Sequence, residues 1–155
     1  PTVVGLVPRD VRVYPVGRLD IDTEGLLLLT NDGDLTALVT HPRHGITKTY
    51  LARVEGTPSR SDLRRLEEGL DLEDGPAAAR SARLVDALEN EALVEVVMGE
   101  GRKREVRRML EAVGHPVAHL VRTRIGPIQD RSLEPGTWRH LTLDEVRNLY
   151  REAQP

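Results

Sequence analysis

Three short stretches of the chain concentrate residue types that do chemistry. The first, Asp20-Ile21-Asp22-Thr23-Glu24-Gly25, alternates carboxylates with other residues. It resembles the opening of a calcium loop, which needs an oxygen donor near its ninth position and an acid at its twelfth. Leu28 and Asn31 stand there, so calcium is excluded. Paired carboxylates for hydrolytic acid–base work are a second reading. On a strand, Asp20 and Asp22 would share a face about 6.6 Å apart. Turn acids in solvent are the commoner fate of such residues.

The second stretch is Gly101-Arg102-Lys103-Arg104-Glu105-Val106-Arg107-Arg108. On a helical wheel Val106, Met109, Leu110 and Val113 form the buried stripe, with Arg107 at its edge and Arg104 and Arg108 well away. It reads equally as a solvated basic face or as a working one. In the working version Arg104 and Arg108 meet phosphates and Arg107 turns inward to a buried carboxylate. The third stretch is Lys48-Thr49-Tyr50 on a strand. A strand tyrosine is most often a core or rim residue, but it also suits stacking on a base while offering a hydroxyl. His115 and His119 have helical metal spacing, yet Pro116 and a strand pattern remove the helix that would join them. No metal site is expected.

The surrounding pattern supplies elements to position these groups. Arg12–Val16, Gly25–Thr30, Lys48–Glu55, Ala77–Asp86, Ala92–Met98 and Val117–Ile125 read as strands. Helices are expected from Gly33 or Asp34 to Pro42, from the Ser59/Asp62 capping signature to Gly69, over Arg102–Val113, and after the Thr142/Glu145 capping box. This predicts one α+β domain with a mixed, mostly antiparallel β-sheet flanked by helices. The absence of cysteine excludes disulfides, thiolate metal sites and thiol nucleophiles. The longest apolar run, Leu26–Leu29, is far below the ~20 residues of a membrane span. The net charge of −3 argues against a uniformly basic coat, but it is uneven. Residues 17–34 sum to −4, residues 62–95 to −6 and residues 101–131 to +5, the last a candidate anion-binding surface.

Taken in order, the motifs resemble a known family. Gly17-Arg18-Leu19-Asp20 with Thr23-Glu24-Gly25-Leu26-Leu27-Leu28-Leu29-Thr30-Asn31-Asp32-Gly33 resembles the first motif of the ribosomal RNA pseudouridine synthases, the RsuA/RluB/RluE/RluF group. His41-Pro42-Arg43 with Lys48-Thr49-Tyr50 is similar to the second. Glu100 through Leu110, with Val113-Gly114-His115-Pro116-Val117, is similar to the third. Leu120-Val121-Arg122, Arg124-Ile125-Gly126-Pro127 and Pro135-Gly136-Thr137-Trp138-Arg139 complete a match over essentially the whole chain.

The resemblance implies the pseudouridine synthase fold and a cofactor-free isomerisation of uridine in RNA, expected in large-subunit (23S) ribosomal RNA, with the target base flipped out. It maps the attacking aspartate to Asp20, the stacking tyrosine to Tyr50, the arginine that salt-bridges the aspartate to Arg107, and the apolar pocket wall to Leu120. Arg18, Leu19, Lys48, Arg102, Arg104 and Arg108 are expected to contact the RNA. It further implies a cytoplasmic monomer that works on RNA and not at a membrane. The chain begins at Pro1-Thr2-Val3-Val4 with no initiator Met. It is therefore expected to be an amino-terminally truncated catalytic domain over residues 1–155, without the S4 RNA-binding domain and Lys-Pro-x-Gly strand usual in the family. Glu105 stands where many relatives carry Gln, a mild variation.

Overall fold

Runs of alternating Val, Ala and Leu build the middle of the molecule and capped helices cover it. The computed structural model describes residues 2–8, 10 and 12–153, the side chain of Pro42 excepted. A 3-10 turn at Val3–Leu6 precedes β1 (Tyr14–Pro15), β2 (Thr23–Gly25) and β3 (Leu29–Thr30). Helix α1 (Gly33–Thr40) and a turn at Pro42–His44 lead to β4 (Lys48–Glu55) and α2 (Arg60–Glu68). The strands β5 (Leu70–Leu72), β6 (Gly75–Ala77), β7 (Ser81–Leu88) and β8 (Glu91–Met98) follow. The chain ends with α3 (Glu105–Ala112), β9 (Val117–Ile125), β10 (Ile128–Gln129) and α4 (Leu143–Glu152).

The central six-stranded sheet runs β10-β9-β4-β8-β7, with β2 added parallel to β9. Its other pairs are antiparallel, so the α+β, mostly antiparallel architecture holds. Strand β4 covers one edge of β9, while β2 and β10 share the other at Leu120–Arg122 and Arg124–Ile125. Every residue of β8 alternates between half-buried and buried, as a strand with one face on a core requires. Helices α2 and α4 begin with the expected capping boxes. Among the described residues no helix is long and apolar enough to cross a membrane.

Three expected strands differ. The run from Arg12 narrows to Tyr14–Pro15, with Val11 outside the described residues. The apolar run Gly25–Thr30 is two strands in different sheets, because Leu26 leaves β2 while Leu28 enters the core beside Val16. The expected strand from Ala77 splits into β6 and β7, the second being an edge strand whose outer residues are exposed. Helix α3 starts three residues later than expected, since Arg104 takes a left-handed conformation (φ 52°) ahead of it.

Two apolar clusters result. One lies between the sheet and helices α2 and α3, with Leu66, Val94, Met98, Met109 and Leu110 almost wholly buried. The second joins α1, α4 and β10 through Leu35, Val39, Ile46, Ile128 and Leu149. The β2–β9 contact that links the sides is very close. A Cβ on Gly25 would lie 2.2 Å from the Arg122 carbonyl oxygen, and Gly25 has φ +117°. We expect Gly25→Ala to break this pairing and cost about 2–4 kcal/mol, read as a lower midpoint in urea unfolding. An unchanged midpoint would contradict the pairing.

Candidate active site

The turn that carries Asp20 is pinned to the start of α3. The Asp20 carboxylate accepts the Arg104 backbone N–H at 3.2 Å. Asp22 receives both carboxylate contacts of Arg104 Nη1, at 2.7 and 2.9 Å. Arg107 is 9% exposed. Its Nη2 donates to the Asp22 carbonyl at 2.6 Å and its Nε lies 3.4 Å from the Asp22 carboxylate. The Arg104 hydrogen bond and the nearby guanidinium of Arg107 hold the Asp22 carboxyl below its ordinary range. Beyond the turn, Thr23 enters β2 opposite Leu120. Asp20 therefore sits at the positive end of a helix, held by a turn braced on both sides.

This turn forms one wall of a cleft of about 170 Å³ where the two apolar clusters meet. Tyr50 and Leu120 rise from β4 and β9 into it, and Arg18, Leu19, Lys48, Arg102 and Arg104 also line it. The structure thus brings Asp20, Tyr50 and Leu120 to one cavity. Arg107 and Arg108 do not line it.

The arginines depart from expectation. Among the described residues Arg107 forms no salt bridge with Asp20; its carboxylate partner is Asp22. The reason is geometric, since the Asp20 carboxylate turns to the helix end while Asp22 turns back along α3. Arg104 and Arg108 are paired with Asp22 and, at 2.7 Å, with Asp74, and both side chains stay partly exposed. Arg102 bonds the carbonyls of Asp74 and Pro76 as well as Glu105. Four of the eight basic residues of the positive segment are thus stitched to the two acidic ones. Asp20 and Asp22 lie in a turn, not on a strand face, and Asp22 is engaged with arginines. His115 bridges the Glu55 carbonyl and Asp62, and His119 lies 3.1 Å from Glu24, so the two histidines serve separate partners. No group of three or more His, Asp and Glu among the described residues could hold a metal ion.

Three participants escaped the sequence reading. Arg122 is buried and lines the cleft, and nothing in its strand sets it apart from neighbouring Arg124. Thr23 is buried beside it with its hydroxyl unpartnered. Glu105, expected as a mild variation, is 3% exposed and pairs with Arg102 at 3.0 Å. Burial, reinforced by the hydrogen bond from neighbouring Glu100, pushes its carboxyl up to about 7. Lys48 moves the other way: burial, helped by the Arg122 charge, brings it down to about 8.

With this geometry in view, residues 5–112 match the sequence profile of the RNA pseudouridylate synthases. The chain belongs to that family. A Mycobacterium leprae protein named as an RNA pseudouridine synthase is 49% identical over 157 residues, covering 99% of this chain and 61% of that protein. The ribosomal large subunit pseudouridine synthase B of Bacillus subtilis is 46% identical over 140 residues, covering 89% and 57%. A crystal structure of a pseudouridylate synthase superimposes with a TM-score of 0.85 at 34% identity, over 96% of this chain and 65% of that one. The chain therefore spans about three fifths of the length of these two curated relatives.

The raised Glu105 carboxyl has a definite linkage consequence. Its folded value, about 7, exceeds the ordinary 4.5, so the stability it contributes is present at low pH and lost as pH rises through about 7. Glu105→Gln removes this dependence. The melting temperature of the variant minus that of the wild type should rise by a few degrees between pH 5 and pH 8. A difference that stays flat or falls would show that Glu105 is held as a stabilised carboxylate.

Proposed function

We propose that this protein isomerises a specific uridine to pseudouridine in the large-subunit ribosomal RNA, with Asp20 as the attacking carboxylate. The observation that carries the reading is the convergence of Asp20, Tyr50 and Leu120 on one cleft, with Asp20 held at the start of α3. The family and the named relative from Bacillus subtilis support the substrate class.

The target uridine leaves its stack and enters the cleft, with the ring on Tyr50 and against Leu120. Unstacking costs a few kcal/mol, which stacking on an aromatic side chain offsets in large part. Asp20 attacks the ribose C1′, and the C1′–N1 bond breaks with its electron pair on the uracil. The ring turns in place, which an aromatic face and apolar walls allow better than a fixed set of hydrogen bonds. C5 then bonds to C1′ as the carboxylate leaves, C5 loses its proton and N1 gains one. Atoms and oxidation state balance as an isomerisation. Arg107 is a positioning residue in this scheme, acting on Asp20 through the Asp22 carbonyl. The reading places the protein with ribosomal RNA in the cytoplasm.

The test is chemical mapping of pseudouridine in unmodified ribosomal RNA after incubation with the full-length protein. Asp20→Asn should lower the single-turnover rate by at least about 10³-fold while RNA still binds. Tyr50→Ala should lose at least about 10-fold, and Tyr50→Phe should retain the stacking share of that effect. Equal product from Asp20→Asn and wild type would overturn the assignment. RNA binding with no product from the wild type would favour a binding module instead.

A further inference from the structure

Two cations on the cleft floor have no acid opposite them. Arg122 is 6% exposed, and its Nε donates to the Leu26 carbonyl at 2.9 Å. Neither of its terminal nitrogens donates to a described residue, and Nη2 is buried without a partner. Lys48 directs its ammonium to the Val39 and Ile46 carbonyls at 2.7 and 3.3 Å, which leaves a third N–H. Among the described residues neither cation forms an ion pair, whereas Arg102, Arg104, Arg107 and Arg108 each have a carboxylate. The Thr23 hydroxyl, also buried and unpartnered, lines the same cleft. An unmatched buried charged donor is costly unless a ligand supplies the acceptor.

The sheet geometry places these groups around Tyr50. Lys48 and Tyr50 share one face of β4 by strand alternation. Tyr50 pairs with Arg122 because the register shifts between Thr49 and Tyr50, leaving Thr123 as the extra residue of a bulge. Without that bulge Arg122 would point to the opposite face. Two like charges are thereby held near each other at the floor, beside the ring on which a base stacks.

We propose that Lys48 and Arg122, with the Thr23 hydroxyl, form an oxyanion subsite for a negatively charged oxygen of the flipped uridine nucleotide. The inference rests on reading the cleft as a uridine-isomerising site. The oxygen has two chemical sources. One is a phosphate flanking the uridine. The other is a carbonyl oxygen of the uracil, which becomes anionic when the C1′–N1 electron pair passes to the ring.

The test uses the full-length protein and a large-subunit ribosomal RNA transcript, with RNA affinity and the single-turnover rate at saturating RNA measured separately. Lys48→Met and Arg122→Met should each lose about 10- to 100-fold in one of the two, the range for a hydrogen bond to a charged group. Lys48→Arg should recover most of the loss. A ring-oxygen subsite lowers the saturated rate and leaves affinity unchanged. A phosphate subsite weakens affinity and reduces the slope of log affinity against log salt by about 0.7–0.9, with the saturated rate unchanged. Lys48→Met and Arg122→Met indistinguishable from wild type in both measurements would overturn the subsite. Equal impairment of Lys48→Met and Lys48→Arg would do the same, since it marks packing and not charge. Lys48→Gln replaces Lys48→Met if the latter melts early. Asp20→Asn, run in parallel, separates the outcomes: its loss of product beside a normal Lys48→Met sinks the subsite alone.

Discussion

The first turn of α3 is the constraint on which the cleft depends. A helix start leaves backbone N–H groups without intrahelical partners, and Arg104, the residue before the helix, makes no side-chain cap of its own. One of these donors is answered by Asp20, 84 residues earlier in the chain. The same turn sends Arg104 and Arg107 to Asp22, and Arg102 and Arg108 to the loop at Asp74. The proposed reactive carboxylate is thus placed by satisfying a helix end, and the helix is placed by gripping a turn on one side and a hairpin on the other.

That arrangement sorts the charges of the chain into two kinds. Exposed pairs such as Arg104–Asp22 are each weak, but several on one helical turn share the entropy of ordering it. Arg107 is different, because a buried guanidinium cannot be left without acceptors. It takes the Asp22 and Val117 carbonyls in addition to the Asp22 carboxylate. Four of the eight basic residues of the +5 segment therefore serve as mortar between the acidic segments. Among the described cations of the cleft that are not exposed, Lys48 and Arg122 have no carboxylate, and both lie on strands and not on the basic helix.

Legibility followed the range of the interaction. Capping boxes at Ser59 and Thr142, the 3.6 periodicity of α3 and the alternation of β8 are set by residues within a turn or two of each other, and they were readable. Ordered motifs were also enough to name Asp20, Tyr50 and Leu120 as cleft residues. Long-range pairing was not readable. Nothing local says that Arg107 takes Asp22 and not Asp20, since both are acids two residues apart on the same turn. Glu105 was read as a mild variation within a charged run; its burial comes from the helix starting just there. Arg122 was hidden for a related reason. Strand alternation assigns it a face, but the bulge at Thr123 decides which residue meets Tyr50.

On the proposed function, the bulge lets a regular sheet serve a ligand that turns while bound. Regular pairing fixes side chains on a two-residue repeat, which would give the floor apolar groups on one side and exposed ones on the other. One extra residue in β9 changes the register beyond it, so Leu120 and Arg122 face Tyr50 while Ile125 still packs in the second cluster. The floor then combines an aromatic ring, an apolar wall and a cation. Under the proposed function motion falls to the nucleotide, while the turn beside it is tied to α3 by matched charges. Such a division suits a reaction whose substrate detaches, turns and rebonds in place: each group must be available in succession to a moving ring, and none can hold it so firmly that it stops.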